Sequence, residues 1–184
     1  MNHVPPWPFA LATLIAVLVT TASRCEQQAL FPASATDGID RTFDVAAWQS
    51  EPNASIGRIV ELGGAILQTE EKDGASALVI EHLPIVEHPA YGPRDTGRPS
   101  GEFVAVLTTP IPRTHLRPGN RIIVIGTTQS AIPAMVDGIR RPLPTVQVRC
   151  IHIWNTGGKE IADFPWVGAG YEPLEENIYC ADGF

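Results

Sequence analysis

The sequence predicts an all-β domain, a small barrel of five strands carried behind an export segment. Three observations lead there. With 16 Gly and 17 Pro among 184 residues, long helices are excluded, because an interior Pro costs a helix about 3 kcal/mol. Short apolar runs, alternating or continuous, recur between Pro- and Gly-rich stretches, which is the pattern of strands and turns. A 44% apolar content suffices for one core, and the length allows one ordinary domain plus extensions.

The chain begins with an address. Phe9 to Ala22, FALATLIAVLVTTA, is uncharged and 14 residues long. A stable membrane-spanning helix takes about 20 residues, whereas this length suits the apolar core of a signal peptide. Cys25 follows three residues later. An apolar run, small residues and then Cys form the pattern of a bacterial lipoprotein signal, so residues 1–24 read as signal peptide and Cys25 as the lipidated residue. Arg24 stands where a small residue is usual, and the first ten residues contain no Lys or Arg. Cleavage after Ala22, giving a soluble exported protein, and an uncleaved anchor therefore stay open. All three readings export the domain.

Residues 25–42 are small and polar without a period and read as a lipid-anchored tether. A short helix is expected around FDVAAWQ, with Phe43, Ala47 and Trp48 on one face. The barrel domain is placed at residues 43–154. Its first strand, Ile56 to Glu70, alternates in polarity and is interrupted at Gly63-Gly64, read as the bend or bulge that closing a small barrel needs. Lys72-Asp73-Gly74 is a hairpin turn, and Ala77 to Leu83 the return strand. After a Pro- and Arg-rich loop comes a third strand, Glu102 to Thr109. Pro110 to Pro118 is irregular. Arg121 to Gly126, RIIVIG, suits a strand buried on both faces. A further loop leads to the last strand, Pro144 to Trp154, with Val146, Val148, Cys150, His152 and Trp154 on one face and Thr145, Gln147 and Arg149 on the other. Five strands in this order match an OB-like barrel, with an open β-sandwich as the alternative. Residues 155–184 read as an irregular, acidic and aromatic extension. Its Phe164, Trp166, Tyr171, Tyr179 and Phe184 argue for partial packing on the barrel or for a partner-binding peptide.

Taken together, Cys25 behind its apolar run, GRIVELGGAI at Gly57 to Ile66, ALVIEHLP at Ala77 to Pro84, GRPSGEF at Gly97 to Phe103, LRPGNRIIVIG at Leu116 to Gly126 and LPTVQVRCIHIW at Leu143 to Trp154 resemble the Slp family. These are small bacterial outer-membrane lipoproteins associated with starvation and stress. The resemblance covers roughly residues 40–155. It departs from the family at Leu62, where a Trp usually precedes the glycine pair, and at Glu102, where a basic residue is usual. It implies an envelope location, a lipid anchor and no known catalytic activity, and it supplies no ligand.

Enzyme motifs are absent from the sequence: there is no H-E-x-x-H, G-x-S-x-G, C-x-x-C, P-loop or G-x-G-x-x-G. No catalytic residue, metal or cofactor is expected. Glu81-His82, Glu87-His88 and His115 are conceivable metal ligands, but zinc needs three or four convergent donors and a solvated loop with surface histidines is the better reading. Cys150 and His152, two apart on one strand, admit a nucleophilic or ligand pair, a buried core thiol, or a disulfide. The disulfide follows if Cys25 is lipidated, since Cys150 and Cys180 are then the remaining thiols in an oxidising compartment.

Charge is blocked along the chain. Residues 26–89 hold 3 basic and 11 acidic groups, residues 90–149 hold 8 and 3, and residues 150–184 hold 1 and 6. Attraction between blocks within the fold is the simplest account. The alternative is a face of Arg113, Arg117, Arg140 and Arg141 for an anionic ligand, either a phospholipid or lipopolysaccharide headgroup or an acidic partner protein. Nucleic acid is not expected, because residues 90–149 contain only Tyr91 and Phe103 for base stacking. The expected role is a structural or interaction one in envelope or stress physiology, at the outer membrane and facing the periplasm.

Overall fold

A computed structural model of the chain describes residues 29–72, 74–87, 91–97, 101–157, 166–167 and 172–183. The leader with Cys25, together with Asp73, His88, Arg98, Phe164, Tyr171 and Phe184, lies outside the described residues. Two short helices, α1 (Ala33–Thr36) and α2 (Val45–Ser50), and a 3-10 turn (Pro52–Ser55) precede the strands β1 (Ile59–Lys72), β2 (Ala75–His82), β3 (Ile85–Val86), β4 (Gly92–Pro93), β5 (Glu102–Leu107), β6 (Arg121–Val136), β7 (Ile139–Trp154), β8 (Trp166–Val167), β9 (Glu172–Pro173) and β10 (Glu176–Cys180). The ladders run β7-β5-β2-β1-β6 and return from β6 to β7, so five strands form a ring. The β5–β7 ladder is parallel; the other four are antiparallel. The all-β class and ring-like order agree with the sequence.

The glycine pair of β1 is not the site of the bulge. Pairing with β2 shifts between Ile66 and Gln68, so the irregularity sits at the exposed Leu67. The glycines instead permit close approach. A Cβ on Gly63 would lie 2.7 Å from the Leu83 carbonyl oxygen and 2.8 Å from Ile85 Cγ1, and one on Gly64 would run into Ile80 and the Glu81 carbonyl. Leu62, in place of the family's Trp, is buried beside them.

The largest departure is the β6–β7 hairpin. Residues 127–143, read as a loop, continue both strands to a tight turn at Asp137 (φ 50°) and Gly138 (φ 77°). Left-handed Asp-Gly is a strong hairpin signal, because two positive φ values match the strand twist. Val136 pairs with Ile139 and Pro133 with Pro142. Bonded and non-bonded pairs alternate away from a two-residue turn, which puts the proline pair at a non-bonded position where the missing N–H removes no bond between these strands. The arm folds over the ring, with Ala134, Val136 and Leu143 packed on Val79 and Val104.

A second correction concerns the faces of β7. Ile125 pairs with Cys150 but Gly126 pairs with Val148, which leaves Arg149 as the extra residue of a bulge. Alternation reverses across it. Val146, Val148, Ile151 and Ile153 line the ring interior, whereas Cys150 and Trp154 belong to a separate outer cluster.

The ends of the ring are closed differently. At one end α2 inserts Trp48, fully buried and 6.1 Å centroid to centroid from Phe103. Asp44 starts this helix by accepting a bond from the Ala47 amide. Phe43 and Val45 flank Trp48, while Ala47, expected on the buried face, is exposed. A second tie is polar. Buried Asn120 donates to the His115 carbonyl (2.9 Å) and the Asn155 side chain (3.2 Å) and accepts from the Thr156 amide (3.1 Å), joining the β5–β6 loop to the end of β7.

Gly64→Ala is expected to lower stability by about 1–3 kcal/mol through overpacking against backbone that cannot retreat. The shift in urea midpoint relative to Gly74→Ala, where a Cβ meets open space but φ is 81°, separates crowding from backbone strain.

Candidate functional site

The outer face of β6 and β7 carries the chemistry that the ring leaves over. Ile123, Ile125, Cys150 and Trp154 form an apolar patch, which three flanking segments cover: Phe31 and Ala35 from the N-terminal side, Leu174 before β10, and Cys180 at its end. Residues 29–42, expected to be a free tether, are thus partly docked. Phe31 is 5% exposed and Ala35 0%. Docking continues at Asp40, whose amide donates to the Ile59 carbonyl at 2.8 Å and whose carboxylate pairs with Arg58.

The C-terminal extension is likewise not irregular throughout. β10 adds antiparallel to β7, with Glu176 opposite Trp154 and Cys180 opposite Cys150. That register brings the two cysteines together as a disulfide with Cα atoms 4.0 Å apart. It also sets Glu176 Oε2 2.9 Å from His152 Nε2. The His152 ring is 2% exposed, 4.1 Å from Trp154 and edge-on to Phe31 at 6.3 Å, measured between centroids. Burial holds this imidazole below the ordinary histidine range, against a smaller upward pull from Glu176. On the inner side of β10, Tyr179 packs on the core, and its hydroxyl lies 2.6 Å from His115 Nδ1.

Beside Phe31 opens a cleft of about 460 Å³ between the N-terminal segment, β1 and the β3–β4 connection. Leu30 and Phe31 supply an apolar wall. At the polar end the Tyr91 hydroxyl donates to Glu61 Oε1 at 3.0 Å, and Arg41 stands 3.5 Å from Glu61 Oε2. Burial first, and then the Glu61 charge, push the Tyr91 phenol far up, so it stays a neutral donor.

Other residues singled out in the sequence are dispersed. Arg113 forks onto Glu71, and Arg141 lies 2.7 Å from Glu102. Glu71 is opposite Ser76, which pairs with Leu107 at one end of β5, while Glu102 begins the other end. Five residues at about 3.3 Å each separate these ends by about 17 Å. Arg117 and Arg140 are exposed, one in the β5–β6 loop and one at the hairpin tip. Arg113 and Arg141 are thus each committed to a carboxylate at opposite ends of β5. His82 ends β2, half-buried and held low by burial, so it is not a surface-loop histidine. Among the described residues no cluster of three or more His, Cys, Asp or Glu could hold a metal. Cys150 has no free thiol to partner His152. Sequence reading missed Glu61, Tyr91 and Glu176, which become neighbours of one another or of His152 only through the fold. Asp-Gly at 137–138 was the one overlooked signal.

An exported β-domain whose flanking segments both close on one outer face is the class that fold and sequence define. The outer membrane lipoprotein Slp family matches residues 23–175. The chain belongs to that family and is an outer-membrane lipoprotein. Neither the comparison with curated proteins nor that with solved structures finds a match.

Loss of the bridge in Cys180→Ser is expected to cost about 3.6 kcal/mol, the chain-entropy figure for a separation of 30 residues, read as a lower urea midpoint without reductant; an unchanged midpoint contradicts it. Acid should act on this face at His152 and at the end of β2 at His82. Since His152 and His82 are both held below their ordinary value of 6.5, the unfolded chain binds protons that the folded chain refuses. Stability is then complete above about pH 6.5 and declines as pH falls below it. Thermal midpoints between pH 7.5 and 5.5 should show this slope, flattened but not abolished in His152→Phe.

Proposed function

We propose that acyl chains on Cys25 hold this lipoprotein in the outer membrane and that the ring domain faces the periplasm, where it has a structural or interaction role in envelope or stress physiology and no catalytic one. The burial of Phe31 carries this reading. It is the sixth residue after Cys25, so even a fully extended connection reaches only about 20 Å. The outer face of β6 and β7 is then held against the bilayer surface, instead of the domain swinging on a long tether. Cys150 in its bridge has no thiolate to offer as a nucleophile, which supports the non-catalytic half.

The anionic-ligand reading gains nothing from the arginines, since Arg113 and Arg141 are engaged and the pairs lie apart. Metabolic labelling with a fatty acid tests the anchor. The parent should incorporate label and fractionate with outer membrane, and Cys25→Ser should lose label and move to the soluble fraction. Equal labelling of both proteins overturns the assignment.

A further inference from the structure

The cleft beside Phe31 has an organised chemistry that anchoring does not use. Its apolar wall, Leu30 and Phe31, lies five and six residues after Cys25. Its polar end holds charge of both signs. Glu61 is fixed by Tyr91 and has 13% of its side chain exposed, whereas the Arg41 side chain is 72% exposed and touches Glu61 only at 3.5 Å, so most of its donors remain uncommitted. Glu87, at the rim, is also exposed. The two carboxylates outnumber the one guanidinium, so an occupant that neutralises the cleft carries a positive group toward Glu61 and Glu87. Arg41 calls for an acceptor anion nearby, and its planar fork suits a phosphate. Volume and lining fall in the range of small-ligand sites, which combine an apolar wall with a few convergent polar groups.

We propose that this cleft binds a phospholipid with an ammonium-phosphate headgroup, the ammonium between Glu61 and Glu87, the phosphate on Arg41 and the first methylenes of a chain along Leu30 and Phe31. The proposal rests on the anchored reading, because the lipids of the host leaflet are then the ligands supplied at high local concentration. The Tyr91 hydroxyl positions Glu61 and spares Arg41 from that task. Occupancy adds a noncovalent contact between domain and bilayer beside the covalent one.

Full-length protein in uncharged detergent, titrated calorimetrically with dihexanoyl phosphatidylethanolamine, dihexanoyl phosphatidylglycerol and free phosphoethanolamine, tests this. The ethanolamine lipid should bind about tenfold or more tightly than the glycerol lipid, and Glu61→Gln and Arg41→Ala should each weaken it by about tenfold, the size of one charge-assisted hydrogen bond. Glu87→Gln, at an exposed position that cannot unfold the domain, should weaken it severalfold. Absence of binding, equal affinity for the two lipids, or unchanged affinity in Glu87→Gln and Arg41→Ala overturns the site. Free phosphoethanolamine binding as tightly as the lipid overturns the phospholipid assignment in favour of a soluble ligand. Fatty-acid labelling of the same preparation reads the anchor separately: labelled protein that fails to bind refutes the cleft alone, and unlabelled protein that binds refutes the anchoring alone.

Discussion

The bulge at Arg149 is the constraint on which the remaining architecture depends. β7 is bonded along one edge to β6 and along the other first to β5 and then to β10. With strict alternation, Val146, Val148, Cys150, His152 and Trp154 would share one face, and the ring would have to take a histidine and a tryptophan in place of Ile151 and Ile153. One extra residue reverses the phase. The ring keeps Ile151 and Ile153 inside, and the outer surface receives a bridged cysteine, an imidazole and an indole in a row. The docking of Phe31, the position of Cys180 and the approach of Glu176 follow from that row.

Charge follows a more local logic than its distribution along the chain suggests. Four arginine–carboxylate pairs join described residues: Arg41 with Glu61, Arg58 with Asp40, Arg113 with Glu71 and Arg141 with Glu102. Arg113–Glu71 is the one that crosses between the acidic first block and the basic second; the others stay within a block. Each has at least one well-exposed partner, so solvent screening leaves it little weight in stability. The pairs instead mark register. Arg141 reaches Glu102 only because the arm folds back past the start of β5, and a basic residue at 102, as the family usually has, would repel it.

Strand order was legible because the apolar runs are long and the turns carry Gly or Pro. Ile122 to Ile125 and Phe103 to Leu107 have no plausible place outside a core, and the parallel β5–β7 pairing follows once five strands close into a ring. What was illegible has physical reasons. Residues 127–143 contain Pro133 and Pro142, and a single strand does not reveal which of its amides will be bonded; that depends on the partner's register. The bulge at Arg149 leaves no mark in composition. Residues 29–42 look like a linker because Phe31 and Ala35 are isolated apolar residues without a period, and their burial is decided by a patch more than eighty residues away. The cleft is hidden for the same reason, since Leu30, Glu61 and Tyr91 meet only in the fold.

The outer face also ties structure to compartment. Its covering segments come from opposite ends of the described chain, and neither could hold its conformation alone: α1 is four residues long without a side-chain cap, and β10 has five residues and one bonded edge. An isolated helix of that length is far below what water tolerates, so docking must draw on burial, about 1.5–3 kcal/mol for a side chain such as Phe31. The bridge supplies the complementary constraint by closing the 30-residue separation between Cys150 and Cys180. Disulfides persist where the environment is oxidising, so before export β10 is held to β7 by its ladder alone. An oxidising compartment adds the bridge to the face against which the N-terminal segment packs.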